Sequence, residues 1–479
     1  MNFSNYEAVI GLEVHAELKT ESKIFCGCST VFGATPNTQC CPICMGFPGA
    51  MPRINRRAVE LAIMAGLALN CEIPEYSRID RKQYFYPDLP KAYQISQGDY
   101  PVCKNGYLDV EADGSIFRVG IVRIHVEEDA GKLLHAERDT LIDYNRCGIG
   151  LIEIVSSPDL RSGAQAAAYL RTLRSVLLAC SISDCKMQEG SLRCDVNVSV
   201  RKKGEGGFGV RTEIKNLNSF AFVEKAIDYE FRRHCELLER NEPIEQETRR
   251  FDPDAGKTYS MRSKESVADY RFLIEPDLLP IRVTGCDLQK IKQALPELPM
   301  ARAERLCREY GMREKDAKIL VGDGALADYF EATARFTRAP QIALNLILGE
   351  LLRLQTCDHF FTTVSHARLG ELCDLLESGE INHSTAKKLL LRLTEGDFDL
   401  AAVIEREMLS QIRDEAVLGA ILDEVLAANA RAVADYRNGK KAAMRALQGT
   451  AMAKTAGRAD PVLLEKLLVF RLETDTKGE

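Results

Sequence analysis

The sequence has 479 residues, too many for a single hydrophobic core, and this length predicts two to four domains. Hydrophobic residues make up 46% and charged residues 28%, as in a typical globular protein. No apolar run reaches the ~20 residues that a membrane-spanning helix needs. The formal charge of −7 excludes a protein that is basic overall, so any surface for nucleic acid must be local.

The first predicted element is a strand over the stretch VIGLEVHAELK, residues 9–19. Apolar and polar residues alternate here, and successive side chains of a strand point to opposite sides. One face is apolar, and the other carries Glu13, His15 and Glu17. A polar face that only meets solvent is the simpler interpretation of any one strand of this kind.

The first residues, MNFSNYEAV, lack the basic start and apolar core of a signal peptide, so we expect a cytoplasmic protein.

The segment that follows the first strand is rich in cysteine. Sixteen cysteines in that compartment indicate thiols and metal ligands rather than disulfides. A Cys-x-Cys pair followed by Cys-x-x-Cys supplies four thiolates for tetrahedral, structural zinc. The predicted ligands are Cys26, Cys28, Cys41 and Cys44, with Cys40 as the spare. The alternative is a set of buried free thiols.

Three further strands each combine an apolar face with a face of ionic or polar groups. These polar faces are Arg123, His125 and Glu127; Arg193, Asp195, Asn197 and Ser199; and Arg211, Glu213 and Lys215. If the strands pair, the polar faces form a floor of acids and bases that suits Mg²⁺ and phosphates. No Walker-type phosphate loop is present, so a nucleotide site would have to lie on this floor.

The pattern divides the chain into three predicted domains of an α+β protein. Residues 1–292 read mostly as short strands, interrupted by predicted helices over residues 164–179 and 222–240. The pattern predicts a helical domain over residues 293–405. It predicts a small helical tail, rich in Ala, Leu and Glu, over residues 406–479.

The tail carries a local basic patch. Residues 437–458 contain six basic residues and no acid, namely Arg437, Lys440, Lys441, Arg445, Lys454 and Arg458. Within a protein of negative net charge, this patch is suited to a nucleic-acid backbone. A solvated helix face explains it equally well.

Several long motifs, taken together, resemble one known family. In chain order they are YEAVIGLEVHAEL, the cysteine loop, RKQYFYPDLPKAYQISQ, HVEEDAGK, LIEIVSSPDL, MQEGSLRCDVNVSVR, TEIKNLNSF and RSKESVADYRFLIEPDL. They follow the order found in the B subunit of the tRNA-dependent aspartyl/glutamyl amidotransferase. The resemblance runs from about residue 5 to the C-terminus, and the tail is similar to the family's small tRNA-binding domain.

The resemblance implies an antiparallel β cradle related to the glutamine synthetase sheet, followed by the helical domain and the tail. It implies a heterotrimer with two partners, an amidase-type glutaminase and a small linking protein. It also implies a ligase reaction with ATP and Mg²⁺. The side-chain carboxylate of misacylated Glu-tRNA(Gln) or Asp-tRNA(Asn) is phosphorylated and then amidated by ammonia from the glutaminase. The sequence leaves open which of the two tRNAs is the substrate.

The same resemblance implies the site residues. The magnesium candidates are Glu13, His15, Glu127 and Glu213, and the further catalytic candidates are Glu128, Glu153, Asp195 and Lys215. The segment RKQYFYPDLPKAYQ places cations beside rings that can stack on bases, as the single-stranded acceptor end of a tRNA requires. Its candidates are Arg81, Lys82, Tyr84, Tyr86, Lys91 and Tyr93. On composition alone, an aromatic core loop is an equal alternative.

Some positions depart from the family pattern. Ser157 stands where Glu is usual, RCGIG over residues 146–150 replaces Ala-Gly-Val-Pro, and Leu273-Ile274 replaces an aromatic-Pro pair. None of these is a proposed ligand. The rival hypothesis is a zinc-stabilised scaffold that binds tRNA without chemistry of its own, and such a scaffold would not need the acidic and imidazole groups on the strand faces.

Overall fold

The structure is a computed structural model that describes residues 3–136, 138–263, 270–355, 360–437 and 440–474. The chain forms two compact units, Met1–Pro299 and Met300–Glu479. The first contains all the strands named below, and the second is helical, so the α+β class is confirmed. Within the described ranges, no helix has both the length and the apolar character that crossing a membrane requires.

The strands are β1 (Tyr6–Glu17), β2 (Tyr76–Ser77), β3 (Asp80–Gln83), β4 (Tyr93–Ser96), β5 (Cys103–Ala112), β6 (Ser115–Glu128), β7 (Lys132–His135), β8 (Thr140–Asp143), β9 (Gly150–Ser156), β10 (Leu192–Lys202), β11 (Thr212–Lys215), β12 (Glu247–Asp252), β13 (Lys257–Ser263), β14 (Leu273–Ile274) and β15 (Ile281–Arg282). The helices of the first unit are α1 (Arg56–Ala68), α2 (Gly163–Ala179), α3 (Phe220–Glu239) and α4 (Gly285–Ala294).

One large sheet organises the first unit. Its eight strands run in the order β13-β12-β11-β10-β1-β9-β6-β5, and β1 lies between β10 and β9. The resemblance implies an antiparallel cradle, and the structure departs from that prediction at one pair, because β11 and β12 are parallel. Helix α3 connects these two strands, and a parallel pair requires a crossover of this kind.

The apolar face of the sheet is covered by helices. Ile10, Leu12 and Val14 of β1 are buried in one core with residues of α1, α2 and α3. The predicted helices over residues 164–179 and 222–240 are confirmed with slightly earlier starts. Ser162 and Ser219 cap them, each accepting a hydrogen bond from a backbone N–H three residues on. The ionic face of the sheet therefore lies on the side away from these helices.

The second unit contains two separate hydrophobic clusters. One is built from residues 303–404 and the other from residues 418–472. Its helices are α5 (Pro299–Tyr310), α6 (Glu314–Gly322), α7 (Gly324–Ala334), α8 (Pro340–Leu346), α9 (His366–Glu377), α10 (His383–Glu395), α11 (Leu400–Arg406), α12 (Glu415–Ala428), α13 (Ala430–Arg437), α14 (Lys441–Lys454) and α15 (Pro461–Thr474). The division at residues 292 and 405 stays a prediction.

Candidate functional site

The register of the sheet brings ionic side chains from four strands into one row. His125 on β6 is opposite Glu153 on β9, Glu153 is opposite His15 on β1, and His15 is opposite Arg193 on β10. Residues opposite one another in neighbouring strands project to the same face. The row therefore alternates imidazoles with a carboxylate and ends on a guanidinium.

A carboxylate from the end of β6 completes a compact cluster. The Nε2 atom of His15 lies 3.3 Å from Glu153 Oε2 and 3.4 Å from Glu127 Oε1. Within the described ranges, His15, Glu127 and Glu153 form a group whose ligand atoms all lie within 4.8 Å of one another. Two carboxylates and one imidazole in this space fit a divalent cation, and carboxylate oxygens are the protein ligands that Mg²⁺ uses.

His125 belongs to the same cluster, although it is not among the site residues predicted from the sequence. Its Nε2 atom lies 3.1 Å from Glu153 Oε2 and 3.5 Å from Glu127 Oε2. Its ring is buried, and Nδ1 has no hydrogen-bond partner among the described residues. Its position between Arg123 and Glu127 on a predicted polar face was the available signal.

The charges in this cluster support one another. Burial acts to lower the pKa of His125, but the nearby carboxylates outweigh it and raise that pKa to about 9. Burial acts to raise the pKa of Glu127 and Glu153, but the two imidazoles outweigh it and lower both values. The carboxylates are therefore ionised in the interior, and a cation held by His15 would take the place of the proton on that imidazole, since a histidine ligand is neutral.

The other two predicted magnesium ligands have separate partners. Glu13 accepts a 3.0 Å hydrogen bond from Asn197, and Glu213 accepts one of 2.9 Å from Thr248. Lys215 lies 3.1 Å from Glu213 and forms an ion pair with Asp195. Neither glutamate belongs to the three-residue ligand group. They line the same ionic face beside it, and burial together with the charges of Glu153 and Asp195 raises the pKa of Glu13.

Glu128 contacts a different set of residues from its neighbour in sequence. Lys91 donates a 2.6 Å hydrogen bond to Glu128 Oε2, and the backbone of Ile95 donates one of 2.8 Å to Oε1. The side chains of Lys91 and Glu128 are only 9% and 2% exposed. A predicted catalytic residue and a predicted substrate contact thus form a buried ion pair next to the cluster.

The aromatic and basic segment forms ordered pairs. Arg81 donates to Glu275 over 2.6 and 2.9 Å, and its guanidinium lies 4.3 Å from the centre of the Tyr93 ring. The ammonium of Lys82 lies 5.7 Å from the Tyr84 ring centre. Tyr86 is 58% exposed. The cations and rings therefore lie side by side, and exposed rings remain available beside them.

The cysteine loop brings the four predicted zinc ligands together. The sulfur atoms of Cys26, Cys28, Cys41 and Cys44 lie within 4.8 Å of one another, which fits tetrahedral zinc. A hydrogen bond from Cys26 lowers the pKa of Cys44 to about 4, and the Lys23 ammonium acts in the same direction from 3.8 Å. Cys40, the predicted spare, instead approaches the Asn145 side chain at 3.9 Å.

The basic patch acquires acidic neighbours, which residues 437–458 themselves lack. Lys440 pairs with Asp435 at 2.9 Å, and Lys454 pairs with Glu424 of α12. Arg458 donates to the backbone oxygen of Met408 at 2.6 Å. Arg437 and Arg445 are exposed, and the side chain of Lys441 lies outside what the structure describes.

The departures from the family pattern lie at the ends of strands. The backbone N–H of Ser157 donates to Gly120 at 2.7 Å, just after β9. A side chain at Gly150 would come within 3.2 Å of Ile24. Leu273 and Ile274 form the exposed strand β14. Cys147, in the departing stretch 146–150, lies against the cysteine loop, since its thiol donates to the backbone oxygen of Cys44 at 3.4 Å.

Comparison with known proteins gives a consistent result along the chain. Residues 8–288 match the GatB/GatE catalytic domain, and residues 328–472 match the GatB domain. The aspartyl/glutamyl-tRNA(Asn/Gln) amidotransferase B subunit of Caldicellulosiruptor saccharolyticus is 49% identical over 98% of this chain and 99% of its own. The protein of the same name from Carboxydothermus hydrogenoformans is 48% identical over the same shares. The chain therefore belongs to the family of aspartyl/glutamyl-tRNA(Asn/Gln) amidotransferase B subunits, which are ligases that form a carbon–nitrogen bond.

Proposed function

We propose that this chain is the tRNA-binding, carboxylate-activating subunit of a cytoplasmic amidotransferase. Its substrates are misacylated Glu-tRNA(Gln), Asp-tRNA(Asn) or both, and its products are Gln-tRNA(Gln) and Asn-tRNA(Asn). The names of its relatives support the reaction class. The observation that carries the assignment is the His15–Glu127–Glu153 group on the ionic face of the sheet.

The reaction needs activation because a carboxylate is a poor electrophile. Its oxygen attacks the γ-phosphorus of ATP, so that ADP leaves and an acyl phosphate forms. Ammonia then attacks the acyl carbon, phosphate leaves, and the nitrogen loses a proton to give the amide. Mg²⁺, when bound, offsets charge on the transferring phosphoryl group.

The residues of this chain have distinct parts in that scheme. The carboxylates of Glu127 and Glu153 with the imidazole of His15 would hold the cation. The ammonium of Lys215 and the guanidinium of Arg193 project from the same face and would attract the phosphates. Asp195 pairs with the Lys215 ammonium and keeps it in place, and Glu13 would extend the metal site. A floor of fixed charges, already paired, costs little reorganisation when the substrate binds.

We further propose two partner proteins and a structural zinc. An amidase-type glutaminase supplies ammonia, a small linking protein completes the heterotrimer, and a structural zinc holds the cysteine loop. The exposed rings near Tyr86 and the exposed arginines of the tail would contact the acceptor end and the backbone of the tRNA. The names of the relatives imply other subunits and a tRNA substrate.

The deciding experiment uses the assembled complex with Glu127→Gln. We expect ATP-dependent phosphorylation of Glu-tRNA(Gln), followed as ADP release, to fall at least about 100-fold while tRNA binding is unchanged. The matched control is Glu7→Gln on the same sheet, because Glu7 pairs with Arg201 away from the cluster. Full activity in Glu127→Gln would favour the scaffold hypothesis. Repeating the assay with Asp-tRNA(Asn) identifies the substrate.

A further inference from the structure

A groove lies in the first unit on the covered side of the sheet. It has a volume of about 670 Å³ and lies between α1, residues 277–283 and α4. Helix α1 packs its buried residues into the apolar core, whereas the His15 cluster projects from the opposite face. No residue that lines this groove is a predicted site residue. The groove therefore calls for an occupant other than the reacting groups.

The floor of the groove is apolar. Its floor includes Val59, Ile63, Met64, Leu278 and Ile291. At its rim, Leu279 is 86% exposed. A large apolar side chain beside an apolar groove is typical of a protein docking site and is costly to leave in water. A nucleic-acid backbone would offer such a floor nothing to bury.

Around the groove, positively charged side chains outnumber carboxylates. Arg53 and Arg282 are exposed and, within the described ranges, have no carboxylate at ion-pair distance. The acids of the groove already have partners. Arg56 lies 2.9 Å from Glu60 and 3.8 Å from Asp287. An occupant with Asp or Glu side chains would pair with the two arginines.

The walls of the groove are held in place before anything binds. The Arg56–Asp287 contact joins α1 to α4, and Thr284 caps α4 by a reciprocal pair of hydrogen bonds with Asp287. A preformed groove loses little conformational entropy on binding. An amphipathic segment that lays its apolar side into a groove is a common mode of recognition.

We propose that this groove binds a segment of a partner protein in which apolar residues are flanked by Asp or Glu. The proposal rests on the proposed function in one respect, namely that the chain works in a complex with other proteins. Apolar side chains of the segment cover Leu279 and the floor, and its carboxylates pair with Arg53 and Arg282.

A photo-crosslinker locates the occupant directly. The full chain carrying Leu279→p-benzoylphenylalanine is co-expressed with the two partners that the family resemblance implies and is irradiated as the purified complex. We expect one adduct, to an apolar and acidic segment of a partner, by peptide mass spectrometry. The matched control is the same replacement at Ile116, which is 64% exposed elsewhere in the unit. No adduct, an adduct to tRNA, or an adduct to a second copy of the chain would overturn the proposal.

Charge reversal tests the acidic character of the segment. We expect Arg53→Glu with Arg282→Glu to weaken association with the partner proteins about tenfold at low salt. Lys203→Glu, at an exposed position beyond β10, should change it less than about twofold. Equal effects of the two variants would contradict the proposal.

The groove assignment and the proposed function can be refuted independently of each other. Amidation of Glu-tRNA(Gln) and of Asp-tRNA(Asn) by the wild-type complex with ammonium chloride tests the proposed function without the crosslink. A crosslinked complex that does not amidate would leave the groove assignment standing and refute the function. A complex that amidates normally but gives no crosslink would refute the groove assignment and leave the proposed function standing.

Discussion

At the residue scale, the cluster shows how buried charges are tolerated when they are paired. Two imidazoles and two carboxylates alternate so that each charge faces an opposite one. Removing one partner would leave a buried charge uncompensated, which is far more costly than losing an exposed pair. Glu127 and Glu153 can therefore be ionised on an inner surface while their oxygens face a common point.

A second buried network, behind the sheet, leads to a prediction about pH. Glu230 on α3 is fully buried and contacts Arg233, His234 and Thr258. Burial acts to raise its pKa, but hydrogen bonds from His234 and Arg233 outweigh it and lower the pKa to about 2. A carboxyl with a lowered folded-state pKa stabilises the fold above its ordinary value and loses that stabilisation as the pH falls.

The stabilisation from Glu230 is therefore present above about pH 4.5 and is lost between pH 4.5 and 2. The full effect is about 3 kcal/mol in the free energy of unfolding. We expect Glu230→Gln to be less stable than the wild type at pH 6 and to show a weaker fall toward pH 3 in urea titrations. Glu236→Gln, at an exposed position on the same helix, should follow the wild type. Parallel pH curves for Glu230→Gln and the wild type would refute this cause.

At the element scale, the cysteine loop lies beside the strands that carry the site. A small cavity is lined by Cys26 and Cys44 of the loop and by Lys91 and Glu128. Gly46 in the loop has a φ of +68°, and a side chain there would collide with Lys91. The loop therefore packs directly against the buried ion pair next to Glu127. A metal that holds the loop also holds this wall.

The zinc prediction has a control within the loop itself. We expect about one zinc per chain in the wild type and in Cys40→Ser, and much less in Cys41→Ser, because four thiolates are needed to close the site. Metal analysis of the purified proteins measures this directly. We also expect a chelator to lower the unfolding temperature of the wild type, since metal binding contributes to folding. A wild type without zinc and with unchanged stability in chelator would refute the site.

The connection between β11 and β12 explains why the sheet is not entirely antiparallel. Strands β11 and β12 are linked by the 20-residue helix α3 rather than by a hairpin. A helix of that length returns the chain to the same edge of the sheet, so the next strand runs parallel. The alternation within each strand does not contain this information, because both directions have the same period.

At the scale of the whole molecule, charge is distributed unevenly. The net charge is −7, yet the tail has a run of basic residues without acids. Folding places Glu424 against Lys454 and Asp435 against Lys440, which reduces the charge that is free to meet phosphate. The exposed Arg445 is then a stronger candidate for a tRNA contact than Lys454.

This difference can be measured in the intact complex. We expect Arg445→Ala to weaken tRNA binding and to lower the slope of log affinity against log salt by about one, as the loss of one phosphate contact does. Lys454→Ala should have a smaller effect, because that ammonium already has a carboxylate partner. Filter binding at several salt concentrations measures both variants. Equal losses in the two variants would show that the Glu424 pair opens when tRNA binds.

Local patterns in the sequence by themselves determined the polar strand faces, helices α2 and α3, and the motifs that indicate the family. These features depend on periods of two or 3.6 residues and on short spacings, which neighbouring residues set. The ligand group was only partly predictable. His15 and Glu127 were predicted as metal ligands and Glu153 as a further catalytic residue, and the structure brings these three together, whereas Glu13 and Glu213 lie beside them.

Only the tertiary structure decided which faces meet. His15 and Glu153 are 138 residues apart, and the strand register that joins them depends on packing across the whole sheet. The same holds for His125, for the parallel pair β11–β12, for Glu424 beside Lys454, and for the groove between α1 and α4. Each arises from segments distant in the chain, whose approach is set by burial of the common core and not by any local period.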